Sequence, residues 1–247
     1  MVRQLSAKQL FSGSIPLVAS IKFFAKMPAH RRKLNIKGLD LWYLVGLITS
    51  DGCLSSDGRH IDITSKDYDF LEKVRERFGF TNRICNKYNG IGQLNYHFQL
   101  GNRSFYDFLL SIGLSPRKSL TIKAVNVPEN YFCDFLRGVI DGDGCIRSWV
   151  HSGNLRQQWS LRIYSGSKIF LNWLGSRIKD EIKVGGRIHK DGKRNSVFVL
   201  KFGKMSAKEI ARHCYYNNCF GLGRKIKLAQ ECLGSYKGWS KSKTVLK

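Results

Sequence analysis

The spacing of apolar residues predicts short helices and two-stranded hairpins over most of the chain. Residues 93–100 place an apolar residue at every second position, which is typical of a strand with one buried face. Residues 67–78 place apolar residues at helical spacing instead, which predicts an amphipathic helix. The dipeptide Asn89-Gly90 favours a tight turn before the alternating strand. The chain should therefore fold as helices alternating with antiparallel hairpins.

The predicted elements occur in the same order in both halves of the chain. In the first half they are a helix-like run in 44–52, a hairpin over 53–65, a helix over 67–78, a hairpin over 83–100 and a helix over 104–112. In the second half they are a helix over 132–141, a hairpin over 145–165, a helix over 167–178, a hairpin over 187–202 and helices over 206–216 and 224–233. We therefore predict an α+β fold of tandem αββαββα repeats.

A nine-residue motif occurs once in each half. Residues 44–52 read Leu-Val-Gly-Leu-Ile-Thr-Ser-Asp-Gly, and residues 136–144 read Leu-Arg-Gly-Val-Ile-Asp-Gly-Asp-Gly. One such ending usually means only a helix stop with a glycine cap. Two copies in matching frames instead predict a pseudo-twofold protein, to which each half contributes one carboxylate, Asp51 or Asp143.

Small residues recur four positions apart in each motif, Gly46 with Ser50 and Gly138 with Gly142. Residues at this spacing share one helical face, and small faces let two helices approach closely. We expect the motif helices to cross at the pseudo-twofold axis, so that the two terminal carboxylates emerge together. Paired carboxylates repel unless a cation lies between them. Oxygen ligands that face phosphate favour Mg²⁺, for which Mn²⁺ can substitute, and such a metal can activate water and stabilise a leaving 3′ oxygen.

The composition points to a polyanionic partner. The chain has 247 residues, of which 43% are hydrophobic, so a packed core is expected. Lysine and arginine number 42 against 18 acids, which gives a formal net charge of +24. Neutralisation of nucleic-acid phosphates with release of counterions is the simplest use of this excess. A merely basic or ribosome-associated protein is the alternative that charge alone leaves open.

The cysteines indicate a reducing environment rather than a zinc site. There are seven of them and no CxxC pair: Cys53, Cys85, Cys133, Cys145, Cys214, Cys219 and Cys232. Cys214 and Cys219 have no second pair of ligands beside them. We therefore expect free thiols and an intracellular location, with mitochondrion, chloroplast and bacterial cytoplasm not distinguished. No apolar run approaches the ~20 residues needed to cross a membrane, and no membrane partner is expected.

Composition also divides the chain into segments. Residues 1–38 hold eight Lys or Arg and no acid, which fits either an organelle transit peptide or a basic arm lying against DNA. The predicted organisation is a basic N-terminal extension at 1–38, a first repeat at 39–125, a linker at 126–130, a second repeat at 131–235 and a basic tail at 236–247.

The paired motif and the repeat that follows it resemble the LAGLIDADG homing endonucleases, specifically the single-chain type with two motifs. The resemblance covers roughly residues 40–235. It implies a pseudo-symmetric pair of antiparallel, saddle-shaped sheets astride the DNA major groove. It also implies that the last acid of each motif, Asp51 or Asp143, binds the essential divalent metals. The backbone carbonyls of Ser50 and Gly142 are the further metal ligands that the resemblance implies.

The resemblance also implies a basic residue near the metals in each half. Lys118 and Lys225 occupy matching positions after the second hairpins and are the candidates for positioning water or stabilising charge on the phosphate. A plain phosphate clamp or a solvated lysine is the alternative for each. The first motif departs from the family pattern at Thr49, where an acid is common, whereas Asp141 keeps that acid in the second. We expect activity to survive this change, with unequal rates of strand cleavage possible.

Polar positions of the hairpins are the candidates for contacting DNA bases. In the first half these are His60, Asp62, Thr64, Arg83, Lys87, Gln93, Asn95, His97 and Gln99. In the second half they are Arg147, Trp149, His151, Gln158, Ser160, Arg162, Tyr164, Arg187 and His189. Any single member could be an ordinary exposed strand residue, so the prediction rests on the set.

The function that these features predict is a monomeric, Mg²⁺-dependent, site-specific endonuclease for double-stranded DNA, active in intron homing and leaving short 3′ overhangs. One alternative is an RNA maturase of the same fold, which helps its intron to splice and would bind intron RNA. Another is a DNA-binding regulator without catalysis, although both motif acids are intact. An intein is disfavoured, because Met1 and Lys247 are not the terminal residues that protein splicing requires.

Overall fold

The computed structural model describes residue 34 and residues 36–153, 155–192 and 194–235. The predicted N-terminal extension and C-terminal tail therefore lie almost wholly outside the described residues. The described residues from Ile36 onwards belong to one compact unit. No helix within the described ranges is long and apolar enough to cross a membrane.

Helices and strands follow one another in the predicted order. The first half contains α1 (Gly38–Asp51), β1 (Gly52–Leu54), β2 (His60–Ser65), α2 (Tyr68–Arg77), β3 (Cys85–Tyr88), β4 (Leu94–Gly101) and α3 (Arg103–Ser111). The second half contains a 3₁₀ turn (Glu129–Tyr131), α4 (Phe132–Asp143), β5 (Gly144–Val150), β6 (Gln157–Ser165), α5 (Lys168–Ile182), β7 (Arg187–Asp191), β8 (Arg194–Phe202), α6 (Lys204–Cys214) and α7 (Gly223–Gly234).

The strands form two four-stranded antiparallel sheets with the same internal order. The first sheet runs β1-β2-β4-β3 and the second runs β5-β6-β8-β7. With seven α-helices among the described residues, this confirms the predicted α+β fold of two tandem repeats. Each repeat begins with a motif helix, whose last residue is followed directly by the first strand of its sheet.

The apolar sides of the sheets form the core together with the helices. Ile61 and Ile63 on β2, and Leu161 and Ile163 on β6, are buried, as their alternation predicts. Helix α2 packs on β2 and β4, and helix α5 packs on β6 and β8. Each fully buried aliphatic side chain contributes about 1.5–3 kcal/mol to folding. The opposite side of each sheet carries the polar residues that alternate with these apolar ones.

The motif helices α1 and α4 cross at very short distance because of two glycines. A Cβ added to Gly46 would lie 2.0 Å from the carbonyl oxygen of Phe135, and one added to Gly138 would lie 2.2 Å from that of Tyr43. Backbone therefore rests on backbone at the crossing, and any side chain at either glycine would push the helices apart. This contact joins the two repeats through the centre of the molecule.

The two halves differ most in the segment after the second hairpin. In the second half this segment contains helix α7, whereas residues 116–121 of the first half form only turns.

Helix α5 continues four residues past the predicted end at 178, because Ile182 adds one more buried apolar side chain. It stops at Lys183, whose φ of 61° is left-handed and cannot continue a helix.

Candidate functional site

The two motif carboxylates stand at the last residues of the crossing helices. Helix α1 ends at Asp51 and helix α4 at Asp143. The glycine after each is extended, with φ of −91° at Gly52 and −88° at Gly144, so neither is a left-handed helix cap. A Cβ at Gly52 would come within 2.6 Å of the Ile48 backbone. These glycines are thus required by space, because the chain turns sharply from helix to strand.

Asp51 lies against the end of the opposite motif helix. A Cβ on Gly142 would be 2.0 Å from Ser50 Oγ and 3.2 Å from Asp51 Cγ. Two effects together raise the pKa of Asp51 to about 7: burial, which is the larger, and the negative charge of Asp143. Asp51 is half-buried whereas Asp143 is exposed. The two carboxylates are therefore close enough to repel each other, as expected for a site that attracts a cation.

Lys118 and Lys225 lie buried beneath the two helix ends, at 5% and 2% exposure. Lys118 Nζ donates to the carbonyl oxygen of Gly52. Lys225 Nζ donates to the carbonyl oxygens of Ile140, of Asp141 at 2.6 Å and of Gly142 at 3.3 Å. A positive charge there stabilises the carbonyl end of each helix.

The lysines and the two carboxylates form one electrostatic group. Burial lowers the pKa of Lys118, and it lowers that of Lys225 to about 8, while the nearby acids oppose both shifts. In return the lysines lower the pKa of Asp51. The carbonyl of Gly142, one of the predicted metal ligands, already accepts a long hydrogen bond from Lys225.

Asp141 is the centre of a buried hydrogen-bond network that sequence reasoning missed. Its carboxylate accepts from Tyr43 Oη at 2.8 Å, from Tyr215 Oη at 2.8 Å and from the Leu222 N–H at 2.7 Å. Burial raises the pKa of Asp141, and the hydrogen bond from Leu222 opposes the rise most strongly. The carboxylate thereby ties helix α4 to helix α1 and to the start of helix α7, which carries Lys225. The retained motif acid was the signal, but its partners lie 74 to 98 residues away in sequence.

Arg137 is a second buried tie within the second half. Although it replaces a small motif residue, it is only 1% exposed. Its guanidinium donates to Asp134 Oδ1 at 2.7 Å and to the Cys214 carbonyl at 2.9 Å. It also lies 5.2 Å from the ring centroid of Tyr43 on the other motif helix. Arg137 therefore fastens the edge of the helix crossing.

Strand register places most of the predicted base-contacting residues on the polar sides of the two sheets. Directly opposed residues of antiparallel strands share a face. On the first sheet Asp62 opposes Gln99 and Thr64 opposes His97. Through pairing and alternation the first polar side carries His60, Asp62, Thr64, Lys87, Asn95, His97 and Gln99, and the second carries Arg147, Trp149, Gln158, Ser160, Arg162, Tyr164, Arg187 and His189.

Some members of the predicted set do not fit this arrangement. Arg83, Gln93 and His151 lie outside the strands. Ser160 is fully buried, so its hydroxyl cannot reach a base in this conformation. Lys201 was missed: it is exposed and opposes both Arg162 and Arg187 on the second polar side. Its place in the alternation of β8 was the available signal.

The described residues contain no group of three or more His, Cys, Asp or Glu side chains that could hold a metal. The seven cysteines are free, which fits the expectation of unpaired thiols. A cation at the helix ends would therefore rest on two carboxylates, with remaining ligands from carbonyls, water or phosphate. Mg²⁺ is commonly bound in this way, through one or two carboxylates and substrate phosphates. The charge repulsion at Asp51 fits such an ion.

Comparison with known proteins identifies the domain of the first half. Residues 38–113 match the family model described as a LAGLIDADG-like domain. This range includes helix α1 with the first motif and the whole first sheet. A comparison with curated proteins finds no match.

Solved structures with the same fold extend over both halves. The meganuclease I-SmaMI bound to uncleavable DNA matches with a TM-score of 0.55 and 15% identity, covering 80% of this chain and 90% of that chain. The homing endonuclease I-DmoI in complex with DNA and Ca matches with a TM-score of 0.52 and 16% identity, covering 78% and 97%. Full-length WhiA from Thermatoga maritima matches with a TM-score of 0.52 and 14% identity, covering 87% of this chain but only 65% of that one.

These matches define the class of the protein by its fold. The chain has the LAGLIDADG homing endonuclease fold, with both motif helices and both sheets in one polypeptide. The sequence resemblance to LAGLIDADG proteins is thereby confirmed. At such low identity the structural matches establish the fold, and activity has to be argued from the site itself.

Proposed function

We propose that the protein is a site-specific, divalent-metal-dependent endonuclease for double-stranded DNA. The observation that carries the proposal is the meeting of Asp51 with the end of the opposite motif helix, where Asp143 helps to raise its pKa to about 7. Two carboxylates delivered to one point by two related helices fit the hydrolysis of two phosphodiester bonds. The polar sides of the two sheets, with Arg162, Arg187 and Lys201 on the second, fit a DNA surface.

Each side chain of the site has a role in this proposal. Asp51 and Asp143, with the carbonyls of Ser50 and Gly142, would hold Mg²⁺, or Mn²⁺ in its place. When bound, the metal supplies Lewis-acid stabilisation of charge and lowers the pKa of water. Lys118 and Lys225 keep positive charge close to the scissile phosphates and hold the helix ends in place by donating to their carbonyls. Low local dielectric strengthens that electrostatic contribution.

Both cleavage centres belong to one polypeptide, so we propose that the protein acts as a monomer. Hydrolysis of one bond on each strand would leave 5′-phosphate and 3′-hydroxyl ends with short 3′ overhangs, as the LAGLIDADG resemblance implies. Homing of an intron is the proposed context, in a reducing intracellular compartment that suits the free thiols.

DNA binding without cleavage is the second candidate. The match to WhiA supports it. WhiA has the same fold as a homing endonuclease and a meganuclease, but its own description names no nuclease. The fold alone therefore does not decide between binding and cutting. What favours cleavage is that both motif carboxylates are present and converge.

Sequencing the products of cleavage tests the proposal directly. Purified protein would be incubated with a randomised duplex library and Mg²⁺, beside the double variant Asp51→Asn/Asp143→Asn. Asp69→Asn removes an exposed acid from helix α2 and serves as the charge-matched control. One long consensus that is cut by the wild type and the control but not by the double variant would support the proposal. Specific binding without cutting by the wild type would favour the binding-only candidate or an RNA maturase.

A further inference from the structure

The polar side of the first sheet carries a carboxylate at its centre. Asp62 lies on β2 between β1 and β4, opposite Cys53 and Gln99. His97 Nδ1 lies 3.1 Å from both carboxylate oxygens, and Thr64 Oγ1 donates to Oδ1 at 3.3 Å. Since an ionised carboxylate only accepts, the Nδ1 atom carries the proton and donates it. Asp62 is therefore held in one orientation by two neighbours on the same face.

A third neighbour contacts Asp62 only loosely. Lys87 Nζ lies 3.4 Å from Asp62 Oδ2 and 3.5 Å from Thr64 Oγ1. The Lys87 side chain is 46% exposed, whereas that of Asp62 is 15% exposed. Such an exposed ion pair contributes little free energy, so the ammonium group can turn to a phosphate at small cost. That movement would leave Oδ2 open while His97 and Thr64 keep the carboxylate in place.

A carboxylate here is unfavourable for DNA binding in general. The proposed function puts this side of the sheet against a polyanion, and a negative charge there repels phosphates. The three partners of Asp62 all lie on the same polar side and none belongs to the apolar core. The group therefore does not brace the core, and a specific contact with the ligand would offset its electrostatic cost.

The second sheet carries the opposite charge at the equivalent position. Cys53 and Cys145 directly follow the glycines that end the two motifs, and they oppose Asp62 and Arg162 respectively. Beyond them, Gln99 in the first sheet corresponds to Lys201 in the second. Arg162 as a whole is partly exposed, and its Nε has no hydrogen-bond partner among the described residues.

We propose that Asp62 and Arg162 read opposite hydrogen-bonding patterns at equivalent positions of the two half-sites. Asp62 accepts from an exocyclic amino group in the major groove, best supplied by cytosine N4, and it excludes guanine and thymine at that base. Arg162 donates to paired acceptors, best supplied by guanine O6 and N7. This inference rests on the proposed function, because it takes the polar sides of the sheets to face DNA.

The test measures base preference rather than overall affinity. Wild type, Asp62→Asn and Asp69→Asn would each be selected for binding against a randomised duplex library in Ca²⁺, and the bound duplexes sequenced. An asparagine both donates and accepts, so Asp62→Asn should lose the preference for an amino-bearing base at a single position, by about tenfold. The other positions should keep their preferences. Asp69→Asn makes the same change in charge away from the polar side and should leave all preferences as in the wild type.

A second substitution keeps the inference falsifiable. Asp62→Gln, like Asp62→Asn, replaces the carboxylate by an amide that donates as well as accepts. Both substitutions should therefore relax the preference at the same position, while thermal unfolding shows a folded protein. Unchanged preferences at every position in both variants, with binding retained, would overturn the inference and leave the proposed function intact. A uniform change at all positions would also overturn it, since that result marks a phosphate effect. Absence of any consensus for the wild type would overturn the proposed function and this inference with it.

Discussion

The ends of the two motif helices share a sequence frame but are held in place differently. In the second half, Asp141 accepts three hydrogen bonds and Lys225 on helix α7 donates to three successive carbonyls. In the first half, Thr49 donates only to Val45 of its own helix at 2.8 Å, and Lys118 in a turn donates to one carbonyl. The second helix end is thus held by several hydrogen bonds from distant segments, whereas the first receives one such bond, from Lys118.

This difference shows how a repeated motif can yield two unequal centres. Hydrogen bonds to a charged group contribute about 1.5–3 kcal/mol each, and an unpaired buried donor costs a similar amount. Among the described residues, Lys225 and Asp141 therefore tie helix α4 to helix α7 by more hydrogen bonds than Lys118 provides at the end of helix α1. We expect the two DNA strands to be cut at different rates, the strand served by the second centre being the faster.

The largest effect should follow loss of either motif carboxylate. Asp51→Asn or Asp143→Asn should reduce double-strand cleavage more than about a hundredfold, because several kcal/mol of metal-mediated charge stabilisation are lost. Binding in Ca²⁺ should be retained. Strand-resolved cleavage of a labelled duplex provides the measurement, with Asp69→Asn as the control. Undiminished cutting by either variant would remove that carboxylate from the mechanism.

A matched pair of substitutions tests the unequal support of the two helix ends. Asp141→Asn should lower the free energy of unfolding by about 3 kcal/mol, because an amide N–H₂ would face donors from Tyr43, Tyr215 or Leu222. The equivalent Thr49→Val should cost only about 1 kcal/mol. Urea unfolding followed by circular dichroism measures both. Equal losses would contradict the claim that the second half is more firmly tied.

The pKa of Asp51 predicts a pH-dependent stability in the absence of metal. Its pKa is raised from 3.8 to about 7 in the folded state, so the folded state binds more protons than the unfolded state between these values. Its contribution to stability is present at low pH and is lost as pH rises towards 7. Asp51→Asn should therefore be more stable than wild type at pH 8, by on the order of 1–2 kcal/mol.

The same difference should shrink as the pH is lowered to 3, below both pKa values, where Asp51 is protonated in the folded and in the unfolded state. Thermal unfolding of wild type and Asp51→Asn in EDTA across this range measures it. Adding Mg²⁺ at pH 8 should raise the stability of the wild type and so reduce its difference from Asp51→Asn. A stability difference between the two proteins that does not depend on pH would show that burial and Asp143 do not raise the pKa of Asp51.

The smallest effect concerns the charges on the two sheets. Lys201→Gln replaces an exposed cation of the second sheet by the residue found at the equivalent position of the first, Gln99. It should weaken DNA binding for all sequences alike and reduce the slope of log K against log salt by about 1. Fluorescence anisotropy at several salt concentrations measures this slope. A slope that is flat for the wild type would contradict the whole assignment of the polar sides.

Features with local causes could be predicted from the sequence. The alternation in β4 and β6, the helical spacing in α2 and the two glycine-bearing motifs each follow from the side chains of a few adjacent residues. The duplication of the motif then predicted a helix crossing, and the structure places Gly46 and Gly138 in it. The common strand register also follows from alternation, because the apolar side of each strand must face the helices.

Features with distant partners could not be predicted in this way. Nothing local to Asp141 shows that Tyr43 and Tyr215 will donate to it, and Arg137 looks like a surface residue until its partners from residues 214–220 are known. The full burial of Ser160 was likewise not visible in its place in the alternation of β6. These arrangements come from tertiary contacts between segments that are far apart in the chain.

A crystal structure of the protein with its DNA target, grown in Mn²⁺ and measured at the manganese absorption edge, would locate both the metal and the DNA. We expect anomalous density between Asp51, Asp143 and the scissile phosphates, with the DNA lying on the polar sides of both sheets. Asp143→Asn crystals should show weaker density at the same place. DNA bound elsewhere, or manganese bound away from the two motif carboxylates, would show that the motif helices do not form a cleavage site.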